Sequence, residues 1–224
     1  MDPQHQSPES PNIYPPEANT VQKVVGNSLY YARAINPTML VALNTISVEQ
    51  PISTEATSKA VTQLLNYVAT HSEAITKYHE SGMILHIHSY DSFLSEPVAK
   101  SRVGGYHCLS TASPDLNNSP LKQPPLNGPV HVKCTTMINI LAIPMEAELG
   151  SLFVNCQIGA ETRMALIDMV HAQPLIPSVI DSATGDRFVN DNIRQSRSRA
   201  IGMQFYWVKD RLRKLKFLVY WMAG

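Results

Sequence analysis

Charge is scarce in this sequence and evenly divided. Only 16% of the 224 residues are Asp, Glu, Lys or Arg, and 18 basic residues balance 18 acidic ones. A chain with no net charge carries no overall field, which excludes bulk attraction to a polyanion as its organising principle. Long apolar runs are missing as well. Nothing approaches the run of about 18 apolar residues that marks a membrane-spanning helix. Cysteine is limited to Cys108, Cys134 and Cys156, an odd number with no CxxC spacing. That excludes a disulfide framework and fits reduced thiols in an intracellular protein. The first ten residues, MDPQHQSPES, show no basic stretch leading into an apolar one. No secretory signal is read there, so the expected location is intracellular, in cytoplasm or nucleus.

What the chain does have is a 44% hydrophobic content, enough for a real core. Residues 1–20 hold Pro3, Pro8, Pro11, Pro15 and Pro16 among polar neighbours and read as a disordered tail. From Val21 the character changes. Val24, Val25, Leu29 and Tyr30 suit one helical face, and Pro37 opens a second apolar helix through Leu43. In a third helix Ser53 is the expected N-cap, Glu55 stands in the first turn, and Val61, Leu64, Leu65 and Val68 recur at helical spacing. Beyond residue 80 the period changes to two. Met83, Leu85 and Ile87 alternate with His86 and His88, which is a strand. Strands are also expected at 105–109, 130–137, 178–180 and 217–221. Helices are expected at 146–170, with Gly159 as a potential break, at 183–190, and from about 203 to 215. The order β-β-β-α-β-α-α-β predicts an α/β domain with a five-stranded mixed sheet, its first three strands antiparallel.

That order brings acidic residues from the first strand's end, the first long helix and the fourth strand's end to one sheet edge, where α/β folds build their sites. Such a cluster suits two-metal phosphodiester hydrolysis. Two Mg²⁺ ions about 4 Å apart require several carboxylates, one of them bridging. His86, His88, His107, Cys108, His131 and Cys134 match no standard zinc spacing. From Arg187 to Lys216 nine Lys/Arg face two acids, Asp191 and Asp210. This local basic field suits phosphates, and the plain alternative is a solvated helix face. Lys209, Arg213 and Lys216, spaced by four and three, would share one helical face and form a nucleic-acid-binding surface.

Taken in order, these segments resemble the end of the reverse transcriptase and the ribonuclease H domain of copia-type LTR retrotransposon polyproteins. Val25-Gly26-Asn27-Ser28-Leu29-Tyr30 with Pro37 looks like that family's VGxLLYxxxxxxP segment, and Thr54-Glu55-Ala56 with Leu64-Leu65-Asn66-Tyr67 looks like its connecting helix. His88-Ser89-Tyr90-Asp91-Ser92-Phe93-Leu94-Ser95-Glu96 lies at its HSDASYLSE-like motif. Glu146-Ala147-Glu148-Leu149 is similar to TEAEY, Ile180-Asp181-Ser182 sits at CDN or TDN, and residues 199–208 sit at KHIDIRYHFI. The likeness spans about residues 21–221. It implies a helical connection segment at 21–80 and a ribonuclease H-like domain at 81–224.

The resemblance also implies a site, and the sequence departs from it. The family's first bridging Asp falls on Tyr90 and its last on Gly202, which makes these degenerate catalytic positions. Glu148 (or Glu146) and Asp181 remain as catalytic and metal-ligating carboxylates. Asp91, beside the first position, is a third candidate catalytic carboxylate; one residue out of step along a strand, it is expected to point away unless a bulge re-aims it, with Tyr90 facing the metals. The implied function is a degenerate ribonuclease H-like domain. Its ancestral activity would be cleavage of RNA in an RNA–DNA hybrid with two Mg²⁺, weak or lost here. The alternatives are a non-catalytic nucleic-acid-binding module and an inert retroelement relic.

Overall fold

The computed structural model of the protein describes residues 15–111, 125–190 and 199–222. Contacts divide it into two compact units, residues 1–76 and 77–224. In the first unit, helix α1 (Pro15–Ala34) buries Val21, Val25 and Ala32 along one stripe, while Tyr30 of the expected stripe points outward. The helix begins inside the stretch expected to be disordered, so residues 15–20 belong to it; residues 1–14 lie outside the described residues. Helix α2 (Leu40–Glu49) buries Leu40, Leu43 and Ile46. Helix α3 (Glu55–Thr70) is capped by Thr54 instead of Ser53. Thr54 and Thr57 exchange side-chain and backbone hydrogen bonds in a capping box, and Ser53 turns back to the Gln50 carbonyl.

The second unit is built on five strands: β1 (Ile84–Glu96), β2 (Lys100–Ser110), β3 (Pro129–Thr136), β4 (Ile176–Ile180) and β5 (Phe217–Trp221). Their spatial order is β3-β2-β1-β4-β5. The β1–β2 and β2–β3 pairs are antiparallel, whereas β4 joins β1 and β5 joins β4 in parallel. This is the five-stranded mixed sheet with flanking helices expected from the order of elements. β1 and β2 are joined by the short turn Pro97–Ala99, while each parallel addition needs a helical crossover. β1 runs on to Glu96, well past the alternation at residues 83–89 that announces it. Its register with β2 is continuous from Ile84↔Ser110 to Ser92↔Arg102 and shifts only after Ser92.

Helix α4 (Pro144–Asp168) lies along one sheet face, followed by α5 (Ala183–Asn190) and α6 (Arg199–Arg213). One core holds them together: Leu85, Ile87 and Val103 from β1 and β2, Ile176 and Ile180 from β4, and Phe217 and Val219 from β5 meet Leu149, Leu152, Phe188, Phe205 and Val208 from the helices. Burying a side chain of this size stabilises by about 1.5–3 kcal/mol, so this face dominates the unit's cohesion. Gly159 does not break α4. A Cβ there would stand 2.4 Å from Ile87 Cδ1, so the glycine lets helix and strand approach closely.

The end of α6 corrects the basic-face expectation. The helix stops at Arg213, and Leu215 turns left-handed with φ 53°. The Lys216 N–H reaches back to the Arg211 carbonyl and the Leu215 N–H to Leu212, closing the helix in a left-handed cap. Lys216 is therefore off the helix and does not share a face with Lys209 and Arg213. The sequence concealed this stop because the residue in the left-handed position is Leu and not Gly. Among the described residues no helix is long and apolar enough to cross a membrane.

Candidate functional site

Parity along β1 decides which side chains reach α4. Leu85 and Ile87 belong to the core under that helix, Ser89 meets Ser151 and Asn155 of α4, and Phe93 packs on the same cluster. By the period of two, Asp91 lies on this face. Its strand partner Val103 is likewise in the core. His86, His88 and Tyr90 take the opposite face, where His88 and Tyr90 stack with ring centroids 6.5 Å apart and Tyr106 meets His88 edge-on. The expected orientation is thereby reversed. Asp91 faces the helix that carries the acid, and Tyr90 does not. No bulge is involved, because the register is unbroken up to Ser92.

Glu148 is the acid in question. It is 7% exposed, and its carboxylate packs against Gly185 at the start of α5, where a Cβ would stand 2.5 Å from Oε2. Burial pushes its pKa up. The Ser182 hydroxyl and backbone N–H oppose that shift, and Asp181 adds to it. Oε1 is buried with no hydrogen-bond partner. Glu146, the other candidate in the motif, is engaged elsewhere: its carboxylate accepts the Ala142 N–H at 2.9 Å in the helix's first turn. Glu148 therefore belongs to the site and Glu146 to the helix start.

Asp181 follows the last residue of β4 and is exposed; its carbonyl accepts the Trp221 indole N–H at 3.1 Å. Continuing the parallel pairing of His88 with Val179 sets Asp181 level with Tyr90. The three carboxylates share one electrostatic neighbourhood. Burial, then Glu148, then Asp181 raise Asp91 to about 7. Burial and Asp181 also raise Tyr90. Ser182, at the position where the family motif has Asn, caps α5 by accepting the Gly185 N–H at 3.0 Å. Gly202, in the first turn of α6, brings no carboxylate.

These residues have the chemistry of a hard-cation site: oxygen donors only, with an orphaned buried carboxylate oxygen among them. Mg²⁺ is commonly held by one or two carboxylates and keeps several waters. Asp91 with Glu148 or Asp181 fits one such ion. Among the described residues no three His, Cys, Asp or Glu side chains gather closely enough to enclose a metal. The His/Cys group is divided between the two faces. His107 meets His131 on the α4 face, with centroids 5.4 Å apart, whereas His86 and Cys108 pair on the other.

Beneath the carboxylates lies a polar network that the motifs did not announce. Ser151 Oγ donates to the Tyr90 carbonyl at 2.5 Å. Asn155 Nδ2 reaches the Gly104 carbonyl at 2.9 Å and Ser89 Oγ at 3.0 Å. With Nδ2 occupied as donor, Asn155 Oδ1 must accept from His107 Nε2–H, 3.1 Å away, which fixes the His107 tautomer. Burial lowers His107 to about 4 against the Asn155 bond, helped by His131 and His88, so the ring is neutral. One sequence signal was available. Glu148, Ser151 and Asn155, at spacings of three and four, form a polar stripe along one side of the helix.

The basic residues are partly occupied within the fold. The Lys209 ammonium lies 5.0 Å from the Phe205 ring centroid, and the Arg211 guanidinium lies 5.0 Å from that of Trp207. Lys214 pairs with Asp210 at 2.9 Å. Arg213 and Lys216 are exposed. Arg194 and Arg197 lie outside the described residues.

No family model matches the sequence, and no curated protein does so. Among solved structures, a ribonuclease H1 isolated from compost by a metagenomic approach overlaps 63% of this chain and 85% of its own, at 10% identity and a TM-score of 0.42. Ribonuclease H1 from the halophilic archaeon Halobacterium salinarum overlaps 62% and 86%, at 14% identity and 0.37. A foamy viral protease–reverse transcriptase in complex with double-stranded DNA overlaps 99% of this chain but 36% of its own, at 14% identity and 0.35. The fold itself rests on the strand order and directions described above.

Proposed function

We propose that this chain is a degenerate ribonuclease H-like domain of a copia-type retrotransposon polyprotein, with a helical connection segment before it. Its ancestral substrate is the RNA strand of an RNA–DNA hybrid. The observation that supports the reading is that strand parity and the β1–β4 pairing bring Asp91 and Asp181 to the sheet edge near Glu148, where burial and then these two carboxylates raise Asp91. Three of the four expected carboxylates are then available, one more than the motifs alone offered. Asp91 and Asp181 would hold a Mg²⁺ ion, with Glu148 completing the set once its carboxylate turns from Ser182. When bound, the ion would supply Lewis-acid polarisation of a phosphoryl oxygen. Asp91, Glu148 and Asp181 would be the residues that orient that ion. With Gly202 at the fourth position and Glu148 folded onto α5, cutting is expected to be weak or absent.

A hybrid-cleavage assay in Mg²⁺ and Mn²⁺ tests this. The natural chain should cut slowly if at all, Gly202→Asp should raise the rate, and Asp91→Asn should abolish whatever rate Gly202→Asp confers. Failure of Gly202→Asp to cut, in a variant that still folds, would leave the non-catalytic reading. The exposed Arg213 and Lys216 favour that second reading as a weak grip on a duplex backbone.

A further inference from the structure

We infer that Ser151 is the positioning residue of this carboxylate site, pinning to α4 the peptide that leads into Asp91. The inference rests on the reading that Asp91 serves a cation. The Tyr90 carbonyl belongs to the same planar peptide as the Asp91 N–H, so holding one holds the other. Ser151 Oγ takes that carbonyl at 2.5 Å and has the Gly104 carbonyl farther off, at 3.3 Å. Asn155, one turn on, satisfies Gly104 at 2.9 Å and is itself held by Ser89 and His107. Ser151, Asn155, Ser89 and His107 are each 2% exposed or less, so water does not substitute for any of these bonds.

The geometry gives Ser151 more than a packing role. Glu148 stands one turn before Ser151 on the same helix, so α4 carries one carboxylate directly and holds the other through the Tyr90 peptide. Rotation of that peptide would change φ at Asp91 and swing its carboxylate relative to Glu148. β1 makes its last pair with β4 at His88, so at Tyr90 and Asp91 the strand has left its neighbour on that side. There only β2 still pairs with β1, and Ser151 adds a hold from α4. Gly105 is part of the same device, since a Cβ there would stand 1.9 Å from Asn155 Oδ1 and displace the brace.

The test is Mn²⁺ affinity by calorimetric titration, measured with the melting temperature on the full chain. Ser151→Ala should weaken Mn²⁺ binding at least tenfold, and Ser151→Thr, which keeps the hydroxyl, should restore it. Cys156→Ala removes a fully buried atom from the same helix without touching the peptide. It should lower the melting temperature while leaving Mn²⁺ affinity unchanged. Natural affinity in Ser151→Ala, or equal weakening in Cys156→Ala, overturns the inference. If Ser151→Ala does not fold, Ser151→Cys takes its place, keeping the volume with a poorer donor. Amide hydrogen exchange supplies a second, metal-free readout: the Asp91 N–H should exchange faster in Ser151→Ala while Ile87 is unchanged. If the natural chain binds no Mn²⁺, the cation reading fails and exchange alone decides. Acceleration at Asp91 keeps the pin, and none removes it.

Discussion

On one face of β1, Leu85 and Ile87 lead to Ser89 and Asp91 under α4. On the other, His86 and His88 lead to Tyr90, away from that helix. The residues alternate in a single strand, yet their surroundings differ in kind. The α4 face closes every polar atom of Ser151 and Asn155 into hydrogen bonds and ends on a carboxylate raised to about 7. The other face stacks aromatic rings and leaves Tyr90 42% exposed. The difference teaches that parity, more than motif position, decides which residue of a strand reaches a site.

The neighbouring glycines of β2 offer the largest test of that contrast. Gly105 lies opposite Ser89 and Gly104 opposite Tyr90, so a methyl group added at each probes one face. At Gly105 the new Cβ would fall 1.9 Å from Asn155 Oδ1; at Gly104 its nearest neighbours are Tyr90 O at 3.4 Å and Tyr90 Cβ at 3.5 Å. Neither glycine has a positive φ, so backbone strain does not enter. Gly105→Ala should destabilise by about 2–3 kcal/mol, from overpacking plus broken buried hydrogen bonds. That is a fall in Tm of roughly 4–12 °C for a domain of this size. Gly104→Ala should change stability by less than about 0.5 kcal/mol. Equal effects in thermal melts would mean that the two faces are not distinct.

Asp91 provides the next test, and pH is its variable. Folded, Asp91 keeps its proton to about 7, whereas its ordinary value is 3.8. Between those values the unfolded chain binds fewer protons, so this residue's contribution to stability falls as pH rises from about 4 to 7. Asp91→Asn should therefore leave stability unchanged at pH 4 and raise it at pH 8. Asp91 is partly open to solvent, so the gain is on the order of 1 kcal/mol after screening, or about 2–4 °C. Tyr90→Phe, its neighbour on the other face, should shift neither end of the profile. Added Mg²⁺ should stabilise the natural chain more at pH 8 than at pH 5, because a bound cation competes with that proton. A profile of Asp91→Asn parallel to that of the natural chain would remove Asp91 from the shared field.

Most of the scaffold was legible in the sequence because it follows from periodicity. Met83, Leu85 and Ile87 alternating with His86 and His88 announced β1, and β5 and α5 lie at the expected residues. The orientation of Asp91 was legible too, since Leu85 and Ile87 already mark the buried face and Asp91 follows at even spacing. Alignment to a family motif obscured it, because matching residue order without gaps says nothing of which face the strand buries. Two features were not legible. The left-handed Leu215 carries no local signal, as it is held by the closure of α6 against β5 and not by its own preference. Glu148 folding onto Gly185 and Ser182 depends on where α5 begins in space, which no spacing along the chain encodes.

The smallest effect is expected from the basic stretch, where the contrast lies between charges used inside the fold and charges left outside. Each Lys or Arg that neutralises a phosphate releases condensed counterions, so affinity for B-form DNA falls by about 0.9 log units per contact for each log unit of salt. Lys209 lies over the Phe205 ring, and Phe205 is in the core. Arg211 lies over Trp207, and Lys214 is drawn to Asp210. Arg213 is exposed near the helix end and Lys216 is exposed beyond it, so a double variant at these two probes charge that the fold leaves outside. Arg213→Ala with Lys216→Ala should flatten the salt slope by up to about 2 units. Lys209→Ala should leave the slope unchanged and instead cost about 0.5–1 kcal/mol of stability through the lost cation–π contact. Fluorescence anisotropy with a labelled duplex at two salt concentrations, alongside thermal melts, separates these outcomes. A slope that falls by about 0.9 in Lys209→Ala and is untouched in the double variant would reverse the assignment.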